Sequence, residues 1–177
     1  MRRILHFTLV VLMILSFPMI LKAQSSVKPI QIAIWYPVQI FDSEISIYGL
    51  RINLIYGVNQ DVYGVDCGLV NKLQGDMKGY QAGFVNLVEG EVRGLQDGLV
   101  NLVDGDFYGW QDSFINIVKC RIVGLQTGLY NSTEDIKGVQ LGIVNRTGTL
   151  EGLQIGIVNL NMSGKPFKFL PIVNFSL

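Results

Sequence analysis

Histidine is almost absent from this chain of 177 residues, because the only one is His6. It lies in an apolar N-terminal segment that we expect to be removed from the mature protein. The mature chain then has no imidazole for general-base catalysis or zinc binding, and a Ser-His-Asp triad is impossible. This absence excludes more enzyme classes than any motif in the sequence suggests.

The chain also has no excess of charge, since 14 Lys and Arg residues balance 14 Asp and Glu residues. Removal of Arg2, Arg3 and Lys22 with the N-terminal segment leaves 11 basic residues and a net charge of about −3. Domains that bind nucleic acid usually carry a basic patch. We therefore expect no nucleic-acid partner.

The N-terminus has the features of a secretory signal peptide at residues 1–23. Arg2 and Arg3 precede an apolar run at residues 4–21, and the letters LKA before Gln24 resemble a small-residue cleavage site. The run is also long enough for an uncleaved transmembrane anchor, which is the alternative. No cysteine follows it to receive a lipid. We predict export of a mature chain of about one domain.

Proline is absent between residues 38 and 165, whereas four prolines stand in the flanks of the mature chain. Proline has no backbone N–H and cannot donate to a neighbouring strand. The distribution therefore predicts a central array in which strands use every backbone N–H, with a cap at each end.

The central array consists of one phrase that is repeated seven times, first every fifteen residues and then every fourteen. Each copy opens with glycine, has Gln or Asp two positions later, and has Asn five positions after that. The glycines are Gly64, Gly79, Gly94, Gly109, Gly124, Gly138 and Gly152. The second column is Asp66, Gln81, Gln96, Gln111, Gln126, Gln140 and Gln154. The third column is Asn71, Asn86, Asn101, Asn116, Asn131, Asn145 and Asn159.

These copies predict an all-β repeat solenoid with short parallel strands in coils of about 15 residues. The copies are rich in Val, Ile, Leu and aromatic residues, have glycine-bearing turns such as VEGE and VDGD, and lack helical periodicity. Equivalent residues of stacked coils lie about 4.8 Å apart. Each Gln and Asn can then donate to one equivalent amide and accept from the other, so the two columns are expected to form structural ladders.

An antiparallel sheet, either an outer-membrane β-barrel or a meander, is the alternative fold. Barrel strands alternate apolar and polar residues over about 9–11 positions, and their connectors differ between the two rims. Here the copies share one turn, and GLVNLV places apolar residues on both parities. The pattern favours the solenoid.

We divide the mature chain into an N-terminal β cap with a divergent first repeat at residues 24–63, seven repeats at 64–161, and a C-terminal cap strand at 162–177. The stacking predicts that Cys67 and Cys120 stay free. They lie three coils apart, or about 14 Å along the axis, whereas a disulfide needs Cα atoms within about 7 Å.

Two sets of side chains are candidates for ligand binding. The turn carboxylates could hold Ca²⁺, but a solvated turn edge needs no ion, so we predict no metal and no cofactor. The aromatic set fits either a sugar-stacking stripe or the filling of a core or interface, which we favour because Leu95 and Ile143 occupy the same columns. The carboxylates are Asp76, Glu89, Glu91, Asp104 and Asp106. The aromatic residues are Tyr80, Phe84, Trp110, Phe114 and Tyr130.

The repeat resembles a bacterial surface-repeat family, first noticed in leptospires, that is built on the phrase Gly-Leu-Gln-x-Gly-Leu-Val-Asn. The resemblance covers residues 64–159, most clearly in GLQDGLVNLVDG and GLQIGIVNLN, and the flanks IWYPVQIF and PIVNFSL are similar to that family's ends. The resemblance implies export and surface exposure. It implies no reaction, cofactor or catalytic residue.

The sequence thus predicts a non-enzymatic, exported surface-repeat protein with a structural or adhesive role at the bacterial cell envelope. The expected location is the cell surface, outer membrane or periplasm, with an unidentified protein or envelope component as partner. A small integral outer-membrane β-barrel protein is the alternative.

Overall fold

The structure, a computed structural model, describes residues 27–176, so the predicted signal peptide lies outside the described residues. The strands are β1 (Val27–Trp35), β2 (Val38–Gln39), β3 (Ser46–Asn59), β4 (Val62–Leu73), β5 (Met77–Val88), β6 (Val92–Val103), β7 (Phe107–Asn161) and β8 (Phe169–Ser176). They form one sheet in the order β2-β1-β3-β4-β5-β6-β7-β8. Within residues 27–176, no helix has the length and apolar character needed to span a membrane.

Neighbouring coils run parallel and in register. Gly64 pairs with Gly79, and Asn71 pairs with Asn86, so each residue of β4 lies beside its equivalent fifteen positions later. The same offset relates β5 to β6 and β6 to β7, and β7 continues through the remaining coils. The predicted β-solenoid with coils of about 15 residues is therefore confirmed, and the antiparallel alternatives are wrong for the repeats.

The apolar core consists of two columns inside the coils. The first column follows each turn, and the second precedes it. Buried aliphatic and aromatic side chains contribute about 1.5–3 kcal/mol each to folding. The first column is Ile47, Val62, Met77, Val92, Phe107, Ile122, Ile136 and Leu150. The second column is Leu73, Val88, Val103 and Val118.

Threonine replaces the second apolar column where the coils shorten to fourteen residues. Thr133 and Thr147 are buried, and the Thr133 hydroxyl donates to the Cys120 carbonyl at 2.9 Å. Two residues separate Thr133 from the next core residue, Ile136, whereas three separate Val118 from Ile122. The shorter coils thus lack one residue in the turn, and the same side-chain positions of the strands face the interior as in the longer coils.

A column of glycines allows the coils to approach each other closely at one corner. Gly109 has φ 137°, and a Cβ atom there would lie 2.0 Å from the Gly94 carbonyl oxygen. Any other residue would strain the backbone and collide with the preceding coil. The column also includes Gly49, so β3 forms a first coil ahead of the seven repeats.

Different strands cover the two ends of the solenoid. β1 pairs in parallel with β3, and β8 pairs antiparallel with the last coil. Ile172 in β8 has φ 71°, next to a register shift between Gly156 and Asn159 where the coil turns a corner. Pro171 lacks a backbone N–H, and the irregular backbone beside it disrupts the regular spacing of hydrogen-bonding groups. Both features hinder the pairing of a further strand with the outer edge of β8.

Both cysteines are free, as predicted. Cys120 is exposed, whereas Cys67 is partly covered. Burial, with a smaller contribution from the Asp66 charge, raises the pKa of the Cys67 thiol. The absence of a Cys67–Cys120 bridge agrees with the parallel stacking of their coils.

We predict that Gly109→Ala destabilises the fold by about 3 kcal/mol or more, because it combines an unfavourable φ with a backbone collision. Gly164→Ala is the matched control, since Gly164 has φ 71° and no heavy atom would lie within 4 Å of its Cβ. It should cost only the conformational strain of about 1–2 kcal/mol. Urea unfolding measures both, and equal losses would contradict the close approach of the coils.

Candidate functional site

The six glutamines of the repeat form a continuous hydrogen-bonded ladder inside the solenoid. Each is at most 1% exposed, and each side-chain N–H donates to the residue of the preceding coil. The distance from Gln96 Nε2 to Gln81 Oε1 is 2.7 Å, and Gln111 and Gln126 repeat the contact at 2.7 and 2.9 Å. Gln140 and Gln154 extend it at 2.7 and 2.8 Å.

The asparagines form a second ladder that donates in the opposite direction. Asn71 Nδ2 lies 2.8 Å from Asn86 Oδ1 in the following coil, and Asn86 donates to Asn101 at 2.8 Å. The remaining steps, through Asn116, Asn131 and Asn145 to Asn159, measure 2.8–3.1 Å. The second N–H of Asn86 donates to the Asp97 carbonyl at 2.8 Å, which leaves no hydrogen of that amide unpaired.

The opposite directions of the two ladders have an electrostatic consequence. Side-chain amides that are linked head to tail have aligned dipoles. One ladder points towards the N-terminus and the other towards the C-terminus, so their dipoles oppose each other along the axis. The interior therefore contains many polar groups without building up charge at either end.

The Gln ladder ends at a buried ion pair. Gln81 Nε2 donates to Asp66 Oδ2 at 2.8 Å, and Arg51 binds both oxygens of that carboxylate at 2.7 Å. Neither side chain of the pair is exposed. A ladder that always donates backwards needs an acceptor at its start, and Asp66 supplies it because a carboxylate only accepts. Arg51 compensates the buried charge.

The Asn ladder begins with a side chain from a neighbouring position. Gly57 pairs with Asn71 but has no side-chain amide to continue the ladder. The side chain of Asn53 fills the space beside Gly57, and its Nδ2 donates to Asn71 Oδ1 at 2.7 Å. A register shift in β3 between Asn53 and Tyr56 makes this possible. Asn53 Oδ1 is buried without a hydrogen-bond partner, as expected for the first acceptor of a chain that donates forwards.

The acidic turn residues form contacts within the protein. Asp76 Oδ1 accepts the backbone N–H of Glu91 at 2.9 Å, and Asp106 Oδ1 accepts that of Arg121 at 3.1 Å. Glu89 pairs with Lys72, Glu91 with Arg93, and Asp104 with Lys119. Within the described part of the chain, no group of three or more His, Cys, Asp or Glu side chains is arranged to hold a metal ion.

The outer surface of the repeats is unusually apolar on one side. We use the term apolar face for the residues at the first, third and fifth positions after the glycine that opens each of the seven repeats. None of these 21 residues is buried, and 18 are apolar. The apolar face comprises Val65, Cys67, Leu69, Tyr80, Ala82, Phe84, Leu95, Asp97, Leu99, Trp110, Asp112, Phe114, Leu125, Thr127, Leu129, Val139, Leu141, Ile143, Leu153, Ile155 and Ile157.

The aromatic side chains lie on the outside, so the expectation that they could fill the core is wrong. Phe84 and Phe114 are 57% and 58% exposed, and Tyr80, Trp110 and Tyr130 are also exposed. Within the repeats the interior holds one aromatic side chain, Phe107 in the first apolar column, and Gln, Asn and the other apolar residues fill the rest of the coils. Tyr130 lies just beyond the corner that follows the apolar face.

The two ladders cannot themselves act on a ligand. Their amides are buried and bonded to each other, so the predicted ladder residues hold the coils in register. The apolar face, by contrast, is accessible to a partner. With seven coils about 4.8 Å apart and three side-chain columns, its area is on the order of 600 Å². A monomeric protein seldom leaves that much apolar surface uncovered without an interaction to make.

Comparison of the chain with protein-family models, curated proteins and solved structures finds no match.

We predict that Asn86→Ala destabilises the protein by about 2–5 kcal/mol, since it leaves an Asn71 N–H and the Asn101 Oδ1 buried and unpaired. Leu99→Ala, on the exposed face of the next coil, should cost less than about 1 kcal/mol. The measurement is the free energy of unfolding in urea. Similar values for the two variants would show that the ladder contributes little.

The ion pair at the start of the Gln ladder gives a double-mutant prediction. Arg51→Gln should cost about 3–5 kcal/mol, because it leaves the Asp66 carboxylate buried without its cation. Arg51→Gln combined with Asp66→Gln should recover most of this loss, since two further glutamines would continue the ladder. Urea unfolding of the single and double variants tests it. A double variant less stable than Arg51→Gln would contradict the role of Asp66 as the ladder's acceptor.

Proposed function

We propose that this protein is a non-enzymatic, exported surface-repeat protein that binds a partner at the bacterial cell envelope through its apolar face. The observation that carries the proposal is the inverted distribution of side chains. The repeats bury the Gln and Asn residues of the two ladders and leave the Leu, Ile, Phe, Tyr and Trp residues of the apolar face outside the interior. In a protein with no partner, that distribution would leave a large apolar surface in water.

Two features of the sequence support the envelope location. The first 23 residues have the pattern of a secretory signal. The repeat phrase also resembles the bacterial surface-repeat family described above, for which export and exposure are expected. The location would be the cell surface, the outer membrane or the periplasm.

A structural or adhesive role fits the repeats better than a catalytic one. The mature chain has no histidine, and the ladder amides are engaged with each other. The buried Arg51–Asp66 pair is saturated by its own contacts. A stack of coils does offer an extended surface, which is what solenoid proteins use for binding.

Fractionation of the native cell tests the location directly. We expect the mature protein to begin at Gln24, to be recovered with the envelope, and to become accessible to protease added to intact cells if it reaches the surface. Mass spectrometry identifies the N-terminus, and periplasmic and cytoplasmic marker proteins control for leakage. Recovery of the uncleaved chain in the cytoplasm would contradict the proposal.

A matched pair of substitutions tests whether the apolar face makes the association. Phe84→Ser removes a side chain that is 57% exposed on the face, whereas Phe167→Ser removes one that is 52% exposed in the loop before β8. We expect Phe84→Ser to reduce retention in the envelope fraction several-fold and Phe167→Ser to leave it unchanged. Equal retention of both variants would show that the face is not the binding surface.

A further inference from the structure

The apolar face carries charge at only one place. Among its 21 positions, the charged residues are Asp97 and Asp112, and none is basic. Along the axis the pair lies between Ala82 and Thr127, and the flanking columns of the same two coils carry Leu95, Leu99, Trp110 and Phe114. The two aspartates occupy equivalent positions in adjacent coils and are direct register partners. Like charges that lie opposite each other on neighbouring strands are destabilising, so the protein maintains an unfavourable pair in the middle of an apolar surface.

These two carboxylates border a cleft with aromatic walls. Tyr80, Leu95, Trp110, Asp97 and Asp112 line a depression of about 210 Å³. The Trp110 indole N–H donates to the Thr127 hydroxyl at 3.0 Å, and this hydroxyl donates to Asp112 Oδ1. The hydrogen bonds fix the indole and one carboxylate relative to each other before any ligand arrives.

No Lys or Arg among the described residues forms an ion pair with Asp97 or Asp112. Six other acidic side chains form ion pairs with Lys or Arg, among them Asp66 with Arg51 and Asp104 with Lys119. Within residues 27–176, no salt bridge involves Asp97 or Asp112. The negative charge also acts on its surroundings, because burial and then the Asp97 carboxylate raise the pKa of Tyr80. The cleft therefore presents uncompensated negative charge between two aromatic rings.

The charges of Asp97 and Asp112 determine which class of partner can bind the apolar face. Two copies of this chain packed face to face about the middle of the repeat would bring Asp97 and Asp112 against the same residues of the partner, which buries like charges together. A lipid surface would bury both carboxylates in hydrocarbon without a counter-charge. An apolar protein surface that carries one basic side chain satisfies both the apolar columns and the charge.

We infer that the apolar face docks an apolar segment of a partner protein and that one Arg or Lys of this segment inserts its cationic group into the cleft between Tyr80, Trp110, Asp97 and Asp112. This inference rests on the proposed function, since it specifies the chemistry of the partner that the face binds. The aromatic rings would hold the cation over their faces, and the carboxylates would bind its N–H groups. The flanking Leu and Phe columns would cover the apolar neighbours of the basic residue.

Fluorescence of Trp110 provides the test, in the full chain with Trp35→Phe so that one of the two tryptophans reports. The probes are n-butylguanidinium, its uncharged analogue n-butylurea, and the blocked peptide acetyl-Leu-Arg-Leu-amide. We expect saturable changes with both cations and none with n-butylurea. The peptide should bind about tenfold more tightly than n-butylguanidinium, because its leucines add apolar contacts.

Charge-removal variants assign the binding to the cleft. Asp97→Asn with Asp112→Asn should weaken binding of the peptide about tenfold. Glu89→Gln with Asp104→Asn is the matched control, because it also removes two exposed carboxylates, which lie outside the apolar face and pair with Lys72 and Lys119. This control should leave the affinity within about twofold.

The inference would be overturned by no binding of either cation, by equal binding of n-butylurea, or by equal affinity in the two double variants. Tight binding of n-butylguanidinium with no gain for the peptide would also overturn it, since the cleft would then take a free organic cation. These failures are distinguishable from failure of the proposed function. Envelope retention that depends on Phe84 would persist if only the cleft were misassigned, and it would be lost if the apolar face bound nothing.

Discussion

Everything in this structure depends on the in-register stacking of identical amides between coils. A buried Gln or Asn is stable only when its N–H and C=O groups find partners, and an equivalent residue in the next coil supplies both. The requirement fixes the spacing between the Gln and Asn positions within each coil, because a slip of one residue there would break two ladders at once. It also fixes the corner glycines, since the amides can meet only if the backbones approach as closely as at Gly109.

The same requirement inverts the usual distribution of polar and apolar side chains. Two of the four inward columns are amides, so the remaining apolar residues of each copy have no interior position and lie outside. The solenoid thus achieves a specific fold through hydrogen bonds and two narrow apolar columns, and it leaves an extended apolar surface free to bind. Asp97 and Asp112 interrupt this surface, and their charge favours a partner that carries a basic side chain at that point.

Much of the fold could be predicted from the sequence, because residues one repeat apart in the sequence are the residues that pair between neighbouring coils. Equal spacing of glycine and amide columns indicated the parallel coils and the free cysteines. The direction of the Asn ladder could not be predicted, since each Asn both donates and accepts, whereas Asp66 at the start of the Gln column can only accept and indicates that the Gln ladder donates towards it. The partnership of Asp66 was missed, although Arg51 stands one period before it. The outward position of Phe84 could not be predicted either. Phe84 and Val85 are adjacent apolar residues, and alternation of apolar and polar residues does not show which of two adjacent apolar side chains faces outwards.

Side-chain hydrogen exchange, measured by NMR, tests the amide stacking most directly. The account predicts that the NH₂ protons of Gln96 and Asn86 exchange about a thousandfold more slowly than those of exposed Gln74. It also predicts nuclear Overhauser contacts between the side-chain amides of Gln96 and Gln81, and between those of Asn86 and Asn101. Exchange as fast as that of Gln74, or the absence of those contacts, would contradict the ladders.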